Sequence, residues 1–136
     1  MKLEGGCYCG AVRYSAEGEA LFKGQCFCRE CQYGSGGDSN LVIGMPGDGF
    51  AWAKGKPKAF QRSDLESPVI REFCAECGTQ LVSRPPALAG AVLIKVGTLD
   101  DRSAFPGPDM AIYTCDAQPY HRIPEGVATF EKTPGG

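Results

Sequence analysis

Histidine is almost missing from this chain: His121 is the only one among 136 residues. A Ser-His-Asp or Cys-His engine therefore has little to work with. His121 lies in Pro119-Tyr120-His121-Arg122, where a surface or loop-packing role is expected. A basic excess is missing too, since 14 Lys and Arg face 16 Asp and Glu for a net charge of −2. That balance leaves no counterion-release footprint, so no nucleic-acid partner is expected. No apolar run approaches the ~20 residues of a membrane span. The N-terminus Met1–Gly6 also lacks the apolar core of a secretory signal, so no membrane partner is expected and the chain reads as cytoplasmic. No segment keeps a 3.6-residue hydrophobic period over three turns, and 19 Gly with 10 Pro exclude a mainly helical bundle.

What the chain does contain is short β-type runs separated by turn residues. Strands are expected near Cys7–Ser15, Ala20–Cys26, Leu41–Met45, Phe50–Ala53, Ala59–Arg62, Val69–Phe73, Gln80–Ser83, Ala91–Val96, Ala111–Thr114 and Ala128–Glu131. A helical turn around Arg29–Tyr33 is the one helix the pattern suggests. The fold class is thus mainly β, a single domain over residues 1–132, with residues 133–136 a flexible C-terminal tail. Lys54-Gly55-Lys56-Pro57-Lys58, the basic cluster, reads as a solvated turn.

Eight cysteines are the largest departure from average composition. In a reducing compartment clustered cysteines are more often metal ligands than disulfides. Seven of them group as Cys7-x-Cys9-Gly10, Cys26-x-Cys28-x-x-Cys31 and Cys74-x-x-Cys77-Gly78. Zinc favours tetrahedral thiolate sets at ~2.3 Å per Zn–S bond. Gly after the second cysteine permits the positive φ that a metal knuckle often uses. On a strand, residues i and i+2 share a face but stand about 6.7 Å apart, so the Cys7–Cys9 pair requires a bent backbone, which Gly5, Gly6 and Gly10 permit.

The economical partition puts Cys7, Cys9, Cys74 and Cys77 on a closed, structural zinc. Cys26, Cys28 and Cys31 then form a second, open zinc site, giving two Zn2+ per chain. A rival partition joins Cys28 and Cys31 to Cys74 and Cys77 as a zinc ribbon and strands three thiols. A redox set on Cys26, Cys28 and Cys31 is a further alternative. Cys115 has no sequence neighbour to pair with and reads as a free thiol.

These motifs resemble the glutathione-dependent formaldehyde-activating (GFA) family, whose domain is shared with centromere protein V. The likeness runs through Gly6-Cys7-Tyr8-Cys9-Gly10-Ala11-Val12-Arg13-Tyr14, Cys26-Phe27-Cys28-Arg29-Glu30-Cys31, Arg71-Glu72-Phe73-Cys74-Ala75-Glu76-Cys77-Gly78-Thr79-Gln80-Leu81 and Val96-Gly97-Thr98-Leu99-Asp100. It implies a β-tent fold and the same division of the seven cysteines between two zinc ions. It also implies carbon–sulfur lyase activity of the S-hydroxymethylglutathione synthase kind. Phe27, Ala111 and Tyr120 stand where the family often has His, His and Trp.

The expected chemistry is a zinc-dependent reaction of a thiol such as glutathione with an aldehyde or its adduct. Cys26, Cys28 and Cys31 would form the catalytic centre, with the Gly34–Asn40 loop as a pocket wall. Asp100 and Asp101 are acid/base candidates or a turn-capping pair. The alternative function is a non-catalytic, zinc-stapled module that binds thiols or a partner.

Overall fold

A computed structural model describes residues 1–135. Eleven strands form in chain order: β1 (Lys2–Gly6), β2 (Arg13–Glu17), β3 (Phe22–Cys26), β4 (Asn40–Pro46), β5 (Phe50–Lys54), β6 (Lys58–Phe60), β7 (Ile70–Phe73), β8 (Gln80–Arg84), β9 (Ala91–Lys95), β10 (Met110–Ile112) and β11 (Ala128–Thr129). A single α-helix, α1 (Arg29–Gly34), follows β3. The mainly β reading holds and the helix falls where the sequence placed it. Of the tail expected at residues 133–136, Thr133–Gly135 are exposed and Gly136 lies outside the described residues.

The strands make two sheets. One has the order β1-β2-β5, and the other runs β11-β10-β3-β4-β9-β8-β7-β6. Period-two alternation decides which side chains go inward. In the small sheet Leu3, Tyr14 and Ala16 point in; in the large one Ile43, Met45, Val82, Val92 and Ile94 meet them. Tyr14 is the largest side chain of this core, stacked on Phe50 at 5.6 Å and edge-on to Trp52 at 6.3 Å. Its hydroxyl donates to Thr98 Oγ1 at 2.7 Å, because Thr98 donates its own proton to the Lys95 carbonyl. Gly5 pairs with Leu99 where β1 crosses this spot. A Cβ on Gly5 would collide with the Thr98 carbonyl and the Tyr14 hydroxyl, so the close approach requires glycine.

Most of the expected strands end within two residues of the observed ones, but the first does not. Cys7–Ser15 is not a continuous strand: Lys2–Gly6 forms β1, residues 7–12 turn back on themselves, and β2 starts at Arg13. The turn is closed by Cys7 N–H donating to the Val12 carbonyl at 3.0 Å. The alternation Ala11-Val12-Arg13-Tyr14 belonged to β2 and its lead-in. The polar, glycine-rich Lys2–Gly6 carried no β signal, and it is ordered by its pairing with β2 in the register Lys2↔Glu17 to Gly6↔Arg13.

Burial pushes the Tyr14 hydroxyl up to about 12 from an ordinary value of 10.0. The folded protein therefore holds this proton more tightly than the unfolded chain. Its contribution is fully present below pH 10 and lost as pH rises toward 12. Tyr14→Phe should remove this alkaline loss, on the order of 2 kcal/mol. The check is the difference in urea-unfolding free energy between the two proteins at pH 9 and pH 11.5.

Candidate metal centre

The two glycine-terminated cysteine pairs fold as matching knuckles. In the first, Cys7 N–H donates to the Val12 carbonyl and Gly10 N–H to the Cys7 carbonyl. In the second, Cys74 N–H donates to the Thr79 carbonyl and Gly78 N–H to the Cys74 carbonyl. Gly10 and Gly78 have φ of 81° and 78°, the left-handed backbone expected after each second cysteine. The first knuckle joins β1 to β2 and the second joins β7 to β8, so the pair bridges the two sheets. Tyr8 N–H donates to Thr79 Oγ1 at 3.1 Å and fixes one knuckle against the other.

The sulfurs of Cys7, Cys9, Cys74 and Cys77 all lie within 4.8 Å of one another. Cys7 Sγ is 3.7 Å from Cys9 Sγ, which is 3.8 Å from Cys74 Sγ. Four sulfurs each ~2.3 Å from a tetrahedral centre would be about 3.8 Å apart, whereas a disulfide brings sulfurs to ~2.05 Å. The spacing fits a metal set and not a pair of disulfides. Cys7 and Cys74 are buried, Cys77 is half-buried and Cys9 is exposed. Val12 N–H donates to Cys7 Sγ at 3.2 Å, and Cys77 Sγ lies 3.1 Å from Thr79 Oγ1. The Thr79 hydroxyl and nearby backbone N–H groups lower the Cys77 thiol to about 6, which favours the thiolate that ligation needs.

Cys26, Cys28 and Cys31 form a separate set whose sulfurs also lie within 4.8 Å of one another. The rival ribbon pairing of Cys28 and Cys31 with Cys74 and Cys77 is not what the fold brings together. Cys26 ends β3, and Cys28 caps α1, its sulfur accepting from Cys31 N–H at 3.3 Å. Gln32 secures the helix from beneath by donating to the carbonyls of Phe27 at 2.8 Å and Asp116 at 3.0 Å. Among the three thiols, hydrogen bonds from Cys26 and then Cys28 lower Cys31 to about 3, with burial opposing and the Lys95 charge assisting. Cys26 moves up, through its bonds to Cys28 and Cys31 and then burial. Both cysteine sets could hold a metal ion.

The remaining candidates sort cleanly. His121 is buried, and both ring nitrogens are engaged: Nδ1 accepts from Gln118 N–H at 2.9 Å and Nε2 lies 2.8 Å from the Gly37 carbonyl. These partners assign a neutral ring with its proton on Nε2. The ring packs edge-on against Phe27 at 5.1 Å, so the residue standing where the family often has His is a core aromatic. Asp100 forms a two-pronged ion pair with Arg13, and Asp101 caps the turn Arg102–Ala104 through Ser103 N–H. Neither is free for acid/base work. Cys115 is exposed and belongs to neither set. Two surface hollows of about 410 and 390 Å3 lie around Leu21 and Leu88 and around Phe105 and Ile123. No cysteine lines either hollow, and the Gly34–Asn40 segment does not contribute to them.

Sequence reasoning missed Lys95. It interrupts the apolar run Ala91–Val96 read as a buried strand, and as the one polar side chain there it was the signal available. Its ammonium donates to Ser83 Oγ at 2.9 Å. Burial lowers its pKa, while the charges of Cys31, Cys26 and Cys28 favour its protonated form.

The sequence profile of the family described as glutathione-dependent formaldehyde-activating enzyme matches residues 2–116. A Halomonas elongata protein, whose name is that of a candidate glutathione-dependent formaldehyde-activating enzyme, is 31% identical over 87 residues. That alignment spans 60% of this chain and 55% of the relative, about half its length. A crystal structure of a Rhodobacter sphaeroides protein superposes with a TM-score of 0.61 at 16% identity, covering 93% of this chain and 98% of that one. This last likeness shows a shared fold.

The clamp that His121 places on the Gly34–Asn40 segment generates a prediction. His121→Ala removes two hydrogen bonds and the contact with Phe27, and should destabilise the protein by about 2–4 kcal/mol. Amide hydrogen exchange should quicken most around Gly37, ahead of the four-cysteine knuckles.

Proposed function

Because the chain belongs to the glutathione-dependent formaldehyde-activating family, we propose that it is a zinc-dependent carbon–sulfur lyase of the S-hydroxymethylglutathione synthase kind. In this reading Cys7, Cys9, Cys74 and Cys77 hold a structural zinc, and Cys26, Cys28 and Cys31 hold a second zinc at the reaction centre. The observation that carries it is the unequal division of sulfurs: four donors complete a tetrahedron, and three leave one position for a donor from outside. Bound by the trio, zinc would act as a Lewis acid that favours the thiolate form of an outside thiol.

The reaction is the addition of a thiol to an aldehyde. A sulfur–carbon bond forms, the carbonyl π bond breaks, and the thiol proton ends on the former carbonyl oxygen. No oxidant or reductant is needed, and the reverse step releases the same two reactants. The chain's task is to supply a thiolate and hold it in place. Cys28, as the cap of α1, keeps the trio's geometry tied to the helix start. Gln32 and Asp116 hold that start against the segment after β10, Asp116 accepting from Arg29 N–H at 3.3 Å. The side chains of His121, Asp100 and Asp101 are committed elsewhere, so the activity rests on sulfur and metal rather than on a protein acid/base pair. Reduced cysteines that ligate metal at both centres suit a cytoplasmic setting. Among the described residues no helix is long and apolar enough to cross a membrane.

Metal counting and a spectroscopic titration test the assignment together. Native mass spectrometry should find two zinc ions per chain, and one after either Cys74→Ser or Cys28→Ser. The Cys74→Ser protein should melt at a much lower temperature than the Cys28→Ser protein, since a closed thiolate site contributes folding free energy directly. In cobalt-substituted protein, added glutathione should shift the thiolate-to-cobalt absorption of one site, and Cys28→Ser should abolish that response. If neither site responds to thiols, the non-catalytic, zinc-stapled module becomes the correct reading.

A further inference from the structure

Lys95 sits on a central strand of the eight-stranded sheet, between β4 and β8. It lies directly across from Val42 on β4, and Cys26 lies directly across from Asn40 on the same strand. Opposed residues share a face of a sheet, and so do residues two apart along a strand. Cys26, Asn40, Val42 and Lys95 therefore occupy one face. Glu30 of α1, adjacent in sequence to the trio, reaches over that face to Arg71 on β7 at 3.0 Å and to Arg62 at 3.7 Å. Arg71 lies across from Ser83, the partner of Lys95. The half-buried Lys95 thus shares a face with Cys26 of the trio and, through Ser83, neighbours Arg71 of the Glu30–Arg71 pair.

The charges there are unequal. Glu30 is already matched by Arg71 and Arg62, and Asp64 is matched by Arg62. Lys95 makes no ion pair with a carboxylate among the described residues. A half-buried ammonium with one hydroxyl partner is unfavourable unless negative charge stands near it. Three thiolates around a divalent ion carry one net negative charge, which matches the single positive charge of Lys95.

We propose that Lys95 is the charge-compensating positioning residue of the three-thiol site, its ammonium held by Ser83 and offsetting the negative charge that Cys26, Cys28 and Cys31 leave on a divalent ion. This rests on the reading that the trio holds zinc. It extends that reading, because the affinity of the site then depends on a side chain that is not a ligand.

The test is chelator competition on the zinc-loaded protein, followed by native mass spectrometry. Wild type should release its two ions in separate steps, and Cys31→Ser identifies which step belongs to the trio. Lys95→Met should weaken that step by about 10- to 100-fold and leave the other unchanged, the range typical of lost groups behind metal ligands. Lys95→Gln, which keeps a donor for Ser83 without the charge, should behave like Lys95→Met and serves if the apolar variant does not fold. Lys95→Arg should restore most of the affinity. Wild-type release from both Lys95→Met and Lys95→Gln would overturn the proposal, as would equal weakening of both sites. A wild-type protein with no ion in the trio would overturn the zinc reading itself.

Discussion

Four sulfurs gathered from two hairpins are the constraint on which this structure turns. The small sheet contributes Cys7 and Cys9 at the turn between its first two strands, and the large sheet contributes Cys74 and Cys77 at the turn between β7 and β8. Their spacing, 3.7 and 3.8 Å along two edges, suits ligation by one ion. The core between the sheets is built from modest side chains such as Leu3, Ala16, Val82 and Val92 around one large Tyr14. An ion bound there would fix how the sheets meet at the end of that core, joining residues 65 positions apart such as Cys9 and Cys74.

The second cysteine set has a different mechanical context. It sits where one strand hands over to a six-residue helix, and its geometry is kept by side chains rather than by paired turns. Gln32, Asp116 and His121 each bond backbone groups of neighbouring segments, and Phe27 fills the space beneath. The closed set is therefore embedded in sheet architecture. The trio is borne on a short, separately anchored element, an arrangement suited to a centre that exchanges a ligand.

Much of this was legible beforehand because cysteine chemistry is local. Spacing and flanking glycines point to the same two groups of sulfurs that the fold draws together, and Gly10 and Gly78 adopt the backbone their positions implied. Strands with branched or aromatic residues, such as Val69–Phe73 and Ala91–Val96, were found to within a residue. Lys2–Gly6 was missed, since its order comes from pairing with β2 and not from its own composition. Long-range contacts also decided the roles of the polar residues. Nothing near Asp100 announces Arg13, 87 positions away, and nothing near His121 announces Gly37. Lys95 looked like the one polar residue of a buried strand, and its partners come from β4 and β8.

The uneven shielding of the four-cysteine cluster shapes how the protein could be assembled. Cys7 and Cys74 are enclosed, while Cys9 faces outward with Cys77 partly so. The inner pair, one cysteine from each hairpin, meets when the two sheets dock, leaving the outer pair to close over an ion arriving from solvent. Loading and demetallation would then share a single doorway, and a scavenging agent would engage the outer thiolates before the interior of the protein had to open.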